Sequence, residues 1–160
     1  MVYLQYLQII MKQEENLKQL LLKELSSRLP YGVVVNYKGL ARPLFGIEPT
    51  QYFQITLDRA LDGEHNGLVY VSLDVDGEVP KPYLRPLSSM TEKEFDDMFN
   101  QFYSAQEEFF RNCSNTDTIG KLIANDTVRY DWFYEHHFDV RHLIEKNLAI
   151  EVTEENNPYK

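Results

Sequence analysis

Glu135, His136, His137, Asp139 and His142 follow one another closely near the C-terminus. Imidazoles beside carboxylates are what a divalent metal ion or a general base requires. The spacing speaks against such a site. His136 and His137 are adjacent and would point about 100° apart on a helix. Asp139 reads as the cap of a following helix, and His137 and His142 are separated by a helix break. Neither H-E-x-x-H nor a two-histidine, one-carboxylate signature is present. Capping and packing at a helix–helix corner is the favoured reading. A small metal-dependent enzyme using His136, His137 and Asp139 is the alternative.

Two acidic stretches invite similar scrutiny. Asp74-Val75-Asp76-Gly77-Glu78 resembles the opening of a calcium loop, but it has too few liganding positions and no glutamate at the twelfth. Asp76-Gly77 is instead a two-residue hairpin turn, since such pairs supply positive φ angles. Asp58, Asp62, Glu64 and His65 surround the preceding loop; exposed turns collect such residues without any catalytic role.

Two further patterns suggest binding. Lys81, Tyr83 and Arg85 alternate along a proline-rich stretch, and in an extended chain would share one face. Two cations flanking a ring can stack on a base or grip a carboxylate. The alternative is that Tyr83 packs inward while the cations solvate its edge. Phe95, Met98, Phe99, Phe102, Tyr103, Phe109 and Phe110 recur at helical spacing, with Glu92, Asp96, Asp97, Glu107 and Glu108 mostly opposite. That stripe, centred on Phe99 and Phe102, is either a core helix or a partner-docking face. There is no glycine-rich phosphate loop, no G-x-S-x-G elbow and no Cys/His nucleophile spacing. No cofactor is implied. Cys113 is the single cysteine; it forms no internal disulfide and no multi-cysteine zinc site.

The elements that carry these residues can be read from periodicity. Leu17, Leu20, Leu21, Leu25 and Leu29 form a helical stripe over residues 12–29, closed by Pro30 and Gly32. Residues 1–10 read as an upstream extension. Short β-branched and aromatic runs then follow at 33–37, 44–47, 52–57 and 68–75, punctuated by Lys38-Gly39, Glu48-Pro49-Thr50, Asp62-Gly63 through Asn66-Gly67, and Asp76-Gly77. Four to five antiparallel strands are expected, as a meander or a small barrel. Prolines 80, 82 and 86 place 80–90 at a sheet edge or in an extended connector. Thr91 with Glu94 is a capping box opening the aromatic helix. Asp126 or Thr127 caps a segment holding Trp132 and Phe133, Asp139 caps Val140 to Lys146, Asn147 closes that helix in the left-handed conformation, and Leu148 to Val152 is a final strand.

The chain has 160 residues and a net charge of −9, with a pI near 4.9. Its scattered basic residues argue against duplex DNA or an anionic membrane as partner. The N-terminus has no basic n-region and no stretch long enough to span a bilayer, so a cytoplasmic location is expected.

Three strings carry a resemblance: Leu29-Pro30-Tyr31-Gly32, the run from Lys81 to Glu92, and His136-His137-Phe138-Asp139 through Leu143 to Ala149. The chain resembles a family of small proteins found in prophages and mobile elements of gut anaerobes. The likeness covers residues 12–152 and is weakest between Tyr37 and Val79. In that family a glycine stands where this chain has Asn147, and commonly also where it has His142, which argues against a metal role for the latter. The resemblance implies origin and fold, with no activity. The order of helix and short strands also looks like an Sm-type or SH3-like barrel, a class that often binds RNA or peptides; fold does not imply function.

The expectation is therefore an α+β protein. Residues 11–90 form a helix plus small β-barrel or meander, 91–153 a helical lobe packed on it within one structural domain, and 154–160 a frayed tail. Its expected role is that of a phage-derived, non-catalytic accessory protein binding another protein, with self-association left open. The alternatives are the metal-dependent enzyme and a weak RNA- or peptide-binding barrel using Lys81, Tyr83 and Arg85.

Overall fold

The computed structural model describes residues 2–48, 54–73, 77–112 and 129–160. The chain divides into two compact units, Met1–Leu84 with Arg141–Lys160, and Arg85–Val140. Arg141–Lys160 thus falls with the first unit. The reason is a long-range pairing: the strand near the C-terminus returns to the sheet of the first unit.

In the first unit α1 spans Val2–Arg28. Residues 2–10 lie in the same continuous helix, which neither glycine nor proline interrupts before Pro30. Leu21, Leu22 and Leu25 are buried, while Leu17 at the expected start of the stripe is exposed. A 3-10 turn at Leu29–Tyr31 and a left-handed Gly32 (φ 65°) end the helix. Six strands follow: β1 Val34–Tyr37, β2 Leu40–Glu48, β3 Gln54–Leu57, β4 Val69–Ser72, β5 Lys81–Leu84 and β6 Ile150–Glu151. Their order in the sheet is β4-β3-β2-β1-β5-β6.

The first four strands form the antiparallel meander. The β1–β2 hairpin turns on Lys38 and Gly39, both at positive φ, as a two-residue primed turn requires. The barrel reading is corrected, because the sheet is open, with β4 and β6 at its two edges, and it is mixed, since β6 runs parallel to β5. The α1 leucines lie in one core with Val33, Val35, Tyr37, Leu44, Ile55, Leu57, Val71 and Leu73.

Two local expectations also fail. The strand after Asp76-Gly77 pairs with β1 and not with β4, so no two-residue hairpin joins β4 to β5. The proline-rich segment is no edge: β5 is an inner strand with Pro82, Tyr83 and Leu84 buried. Pro82 is tolerated because only two residue pairs, Val35↔Pro82 and Asn36↔Lys81, link β1 to β5. Where that ladder stops, the Tyr159 hydroxyl takes its place: it accepts from the Val34 N–H at 3.3 Å and donates to the Tyr83 carbonyl at 2.8 Å. The tail expected to fray is thereby tied to the sheet.

Arg28 and Glu24, each fully buried, pair at 3.1 Å, and Glu24 also pairs with Arg141. Turns at 140–147 replace the expected helix from Val140 to Lys146. Asn147 (φ 57°) closes them as expected, with Leu148 N–H donating to the Leu143 carbonyl and Asn147 N–H to that of Ile144, the Schellman pattern.

In the second unit α2 spans Glu92–Asn112. Its capping box is formed: Thr91 Oγ1 accepts from the Glu94 N–H at 3.2 Å, and Glu94 Oε2 accepts from the Thr91 N–H at 2.9 Å. A helical stretch at 129–135 ends in a second Schellman pattern, with His137 at φ 59°, its N–H donating to the Tyr134 carbonyl and that of Phe138 to the Phe133 carbonyl. Trp132, Tyr134 and Phe138 are buried. The expected cap at Asp126 or Thr127 lies outside the described residues.

Candidate docking surface on α2

The capping box sets the start of α2, and a 3.6-residue period then brings Phe95, Phe99 and Tyr103 into one line. The rings contact one another: centroids are 6.2 Å apart for Phe95–Phe99, 4.3 Å for Phe99–Tyr103 and 6.0 Å for Phe102–Tyr103. These rings are not core. Phe95 is 51% exposed, Phe99 44% and Tyr103 49%. Met98 and Phe102, a step round the helix, are half-buried. Together with Arg129 and Phe133 they line an open hollow of about 390 Å³. The Arg129 guanidinium lies over the Phe102 ring, 4.4 Å from its centroid. A smaller hollow of about 270 Å³ adjoins Arg129 and Phe133 and is lined also by Leu87, Tyr130 and Val140.

Exposed aromatic area at this density stabilises contact with another apolar surface and performs no chemistry by itself. Phe99 and Phe102 were legible as candidates from spacing alone. Arg129 was missed, since nothing in local sequence says which helix it will face. Phe109 and Phe110 are in α2, but their side chains lie outside the described residues.

Lys81, Tyr83 and Arg85 each have partners within their own unit. Tyr83 is buried at 8% exposure, its hydroxyl accepting from Asn36 Nδ2 at 2.9 Å. Lys81 Nζ donates to Asn147 Oδ1 at 2.8 Å. Arg85 holds both Glu94 carboxylate oxygens, at 2.7 and 3.0 Å, with its guanidinium stacked 4.3 Å over the Phe138 ring. That forked pairing, with the two hydrogen bonds from Thr91, brings the Glu94 carboxyl down to about 2. A ring packed inward and a guanidinium already paired leave little to stack on a base.

His136, His137 and Asp139 are not assembled as ligands. The His136 ring stacks on Trp132 at 4.0 Å and its Nδ1 meets the Trp132 carbonyl at 2.9 Å. His137 closes a helix, and Asp139 is buried with its N–H donating to the Arg85 carbonyl. Among the described residues no three of His, Cys, Asp and Glu are placed to hold a metal ion. His142 is exposed beside Glu145. In the other acidic loop, Asp62 accepts from the N–H groups of Glu64 and His65 and meets the His65 ring, which holds its carboxyl below the usual range; this is turn chemistry. Asp74, Asp76 and Cys113 lie outside the described residues. No described helix is long and apolar enough to cross a membrane.

Comparison with known proteins finds no matching family model, no similar curated protein and no similar solved structure.

Proposed function

We propose that this chain is a non-catalytic accessory protein, of phage or mobile-element origin and resident in the cytoplasm of a bacterial host, that works by holding another protein against α2. The observation that carries this reading is the continuous line of exposed rings at Phe95, Phe99 and Tyr103 above an apolar hollow. Covering such an apolar surface is favourable by roughly 25 cal/mol per Å². The origin rests on the strings from Lys81 to Glu92 and from His136 to Ala149.

The test is affinity capture from bacterial lysate with the native chain and with Phe99→Asp, both shown by circular dichroism to be folded. A species retained by the native chain and lost from the variant supports the reading. Identical captured sets for the two proteins would refute it.

A further inference from the structure

We infer that the partner of α2 is an amphipathic helix with a cationic flank; this rests on the docking role proposed above and adds the chemistry of the occupant. Three observations converge on it.

The first is backbone accounting. The middle of α2 presents rings and no free main-chain groups, so whatever lies on it must satisfy its own N–H and C=O groups. A helix does so by itself. The exposed rings at 95, 99 and 103 cover eight residues of rise, about 12 Å. That length takes apolar anchors at i, i+3 or i+4, and i+7 of a facing helix.

The second is charge. Residues 85–140 hold eleven acidic and five basic residues, a net −6 of the chain's −9. On α2 the period puts Glu92 and Asp96 beside the Phe95–Phe99–Tyr103 line, and both are exposed. Neither has an ion-pair partner among the described residues. They stand four apart, a spacing at which like charges repel. A lysine or arginine lying between them would relieve that repulsion and steer the encounter. Glu94, in contrast, is already held by Arg85.

The third is Arg129. Its guanidinium occupies the face of Phe102 on the other side of the hollow, so the partner's cations belong on the Glu92 and Asp96 flank. The complementary helix thus carries aliphatic anchors with Lys or Arg along one side only.

The experiment uses the full chain and three labelled synthetic peptides, followed by fluorescence anisotropy. One is a helical peptide with leucine anchors and a lysine flank, one has glutamate in place of lysine, and one is a scramble of the lysine peptide without an apolar face. The lysine peptide is expected to bind at least about tenfold more tightly than the other two, and less tightly as salt rises. Glu92→Gln with Asp96→Lys should erase its advantage over the glutamate peptide, and Phe95→Ala with Phe99→Ala should abolish its binding. Equal binding of the scramble, or of the glutamate peptide, overturns the inference. So does absence of all peptide binding while a lysate species still depends on Phe99; in that case the docking role stands and only the partner's chemistry fails. Capture indifferent to Phe99→Asp refutes the docking role itself.

Discussion

Glu94 does two jobs at one carboxylate, closing the capping box on Thr91 and receiving both arms of Arg85. Glu94→Gln keeps a capping side chain and removes the charge. We expect it to cost about 1 kcal/mol near neutral pH, read by urea unfolding. The pH dependence follows from the sign of the shift. The folded carboxyl sits at about 2 against an ordinary 4.5, so its contribution is present above 4.5 and is lost as pH falls from there towards 2. The native chain should therefore lose more stability than the variant over that range. Asn147 carries a second residue-scale prediction. At φ 57° it tolerates glycine, so Asn147→Gly should change stability by no more than about 0.5 kcal/mol, whereas β-branched Asn147→Val should cost at least about 1 kcal/mol. A third concerns the histidines. With His136 packed on Trp132 and His137 closing a helix, added Zn²⁺ or Mn²⁺ should leave the melting temperature unchanged.

At the scale of elements, the junction of β1 and β5 depends on a side chain from the far end of the chain. The Tyr159 hydroxyl bridges Val34 and Tyr83 where direct ladder bonds cease. Tyr159→Phe leaves a buried donor and a buried acceptor unmatched, and should cost about 1–3 kcal/mol with faster amide exchange at Val34. Burial also pushes the Tyr159 phenol above its usual 10. Its protonated form is the folded form, so this contribution holds below pH 10 and is lost as pH rises past it, a loss the phenylalanine variant should not show. None of this was visible in the tail itself, whose polar sequence suggests fraying. The helix stop at Pro30-Gly32, the Lys38-Gly39 turn and the Thr91–Glu94 box were readable because each is decided within four residues. The inner position of β5 was not readable, because Pro82 argues for an edge and only the brevity of its ladder with β1 makes an interior place tolerable.

For the molecule as a whole, a net charge of −9 opposes self-association through the exposed rings. Light scattering should rise as pH is lowered towards the pI of 4.9, and Phe95→Ser with Phe99→Ser should suppress the rise; equal scattering from the two proteins would place the adhesive surface elsewhere. The sequence by itself determined the α+β class, the start of α2, the apolar line along it and the acidic balance, because local hydrogen bonds, a 3.6-residue period and charge counting need no knowledge of distant residues. Tertiary structure alone decided that the sheet stays open and ends in a parallel strand, that Tyr83 faces inward, that His136 stacks on a ring, and that Phe95, Phe99 and Tyr103 face solvent. Each of these depends on which distant segment arrives to cover or pair with a given face, and periodicity reports only that a face exists.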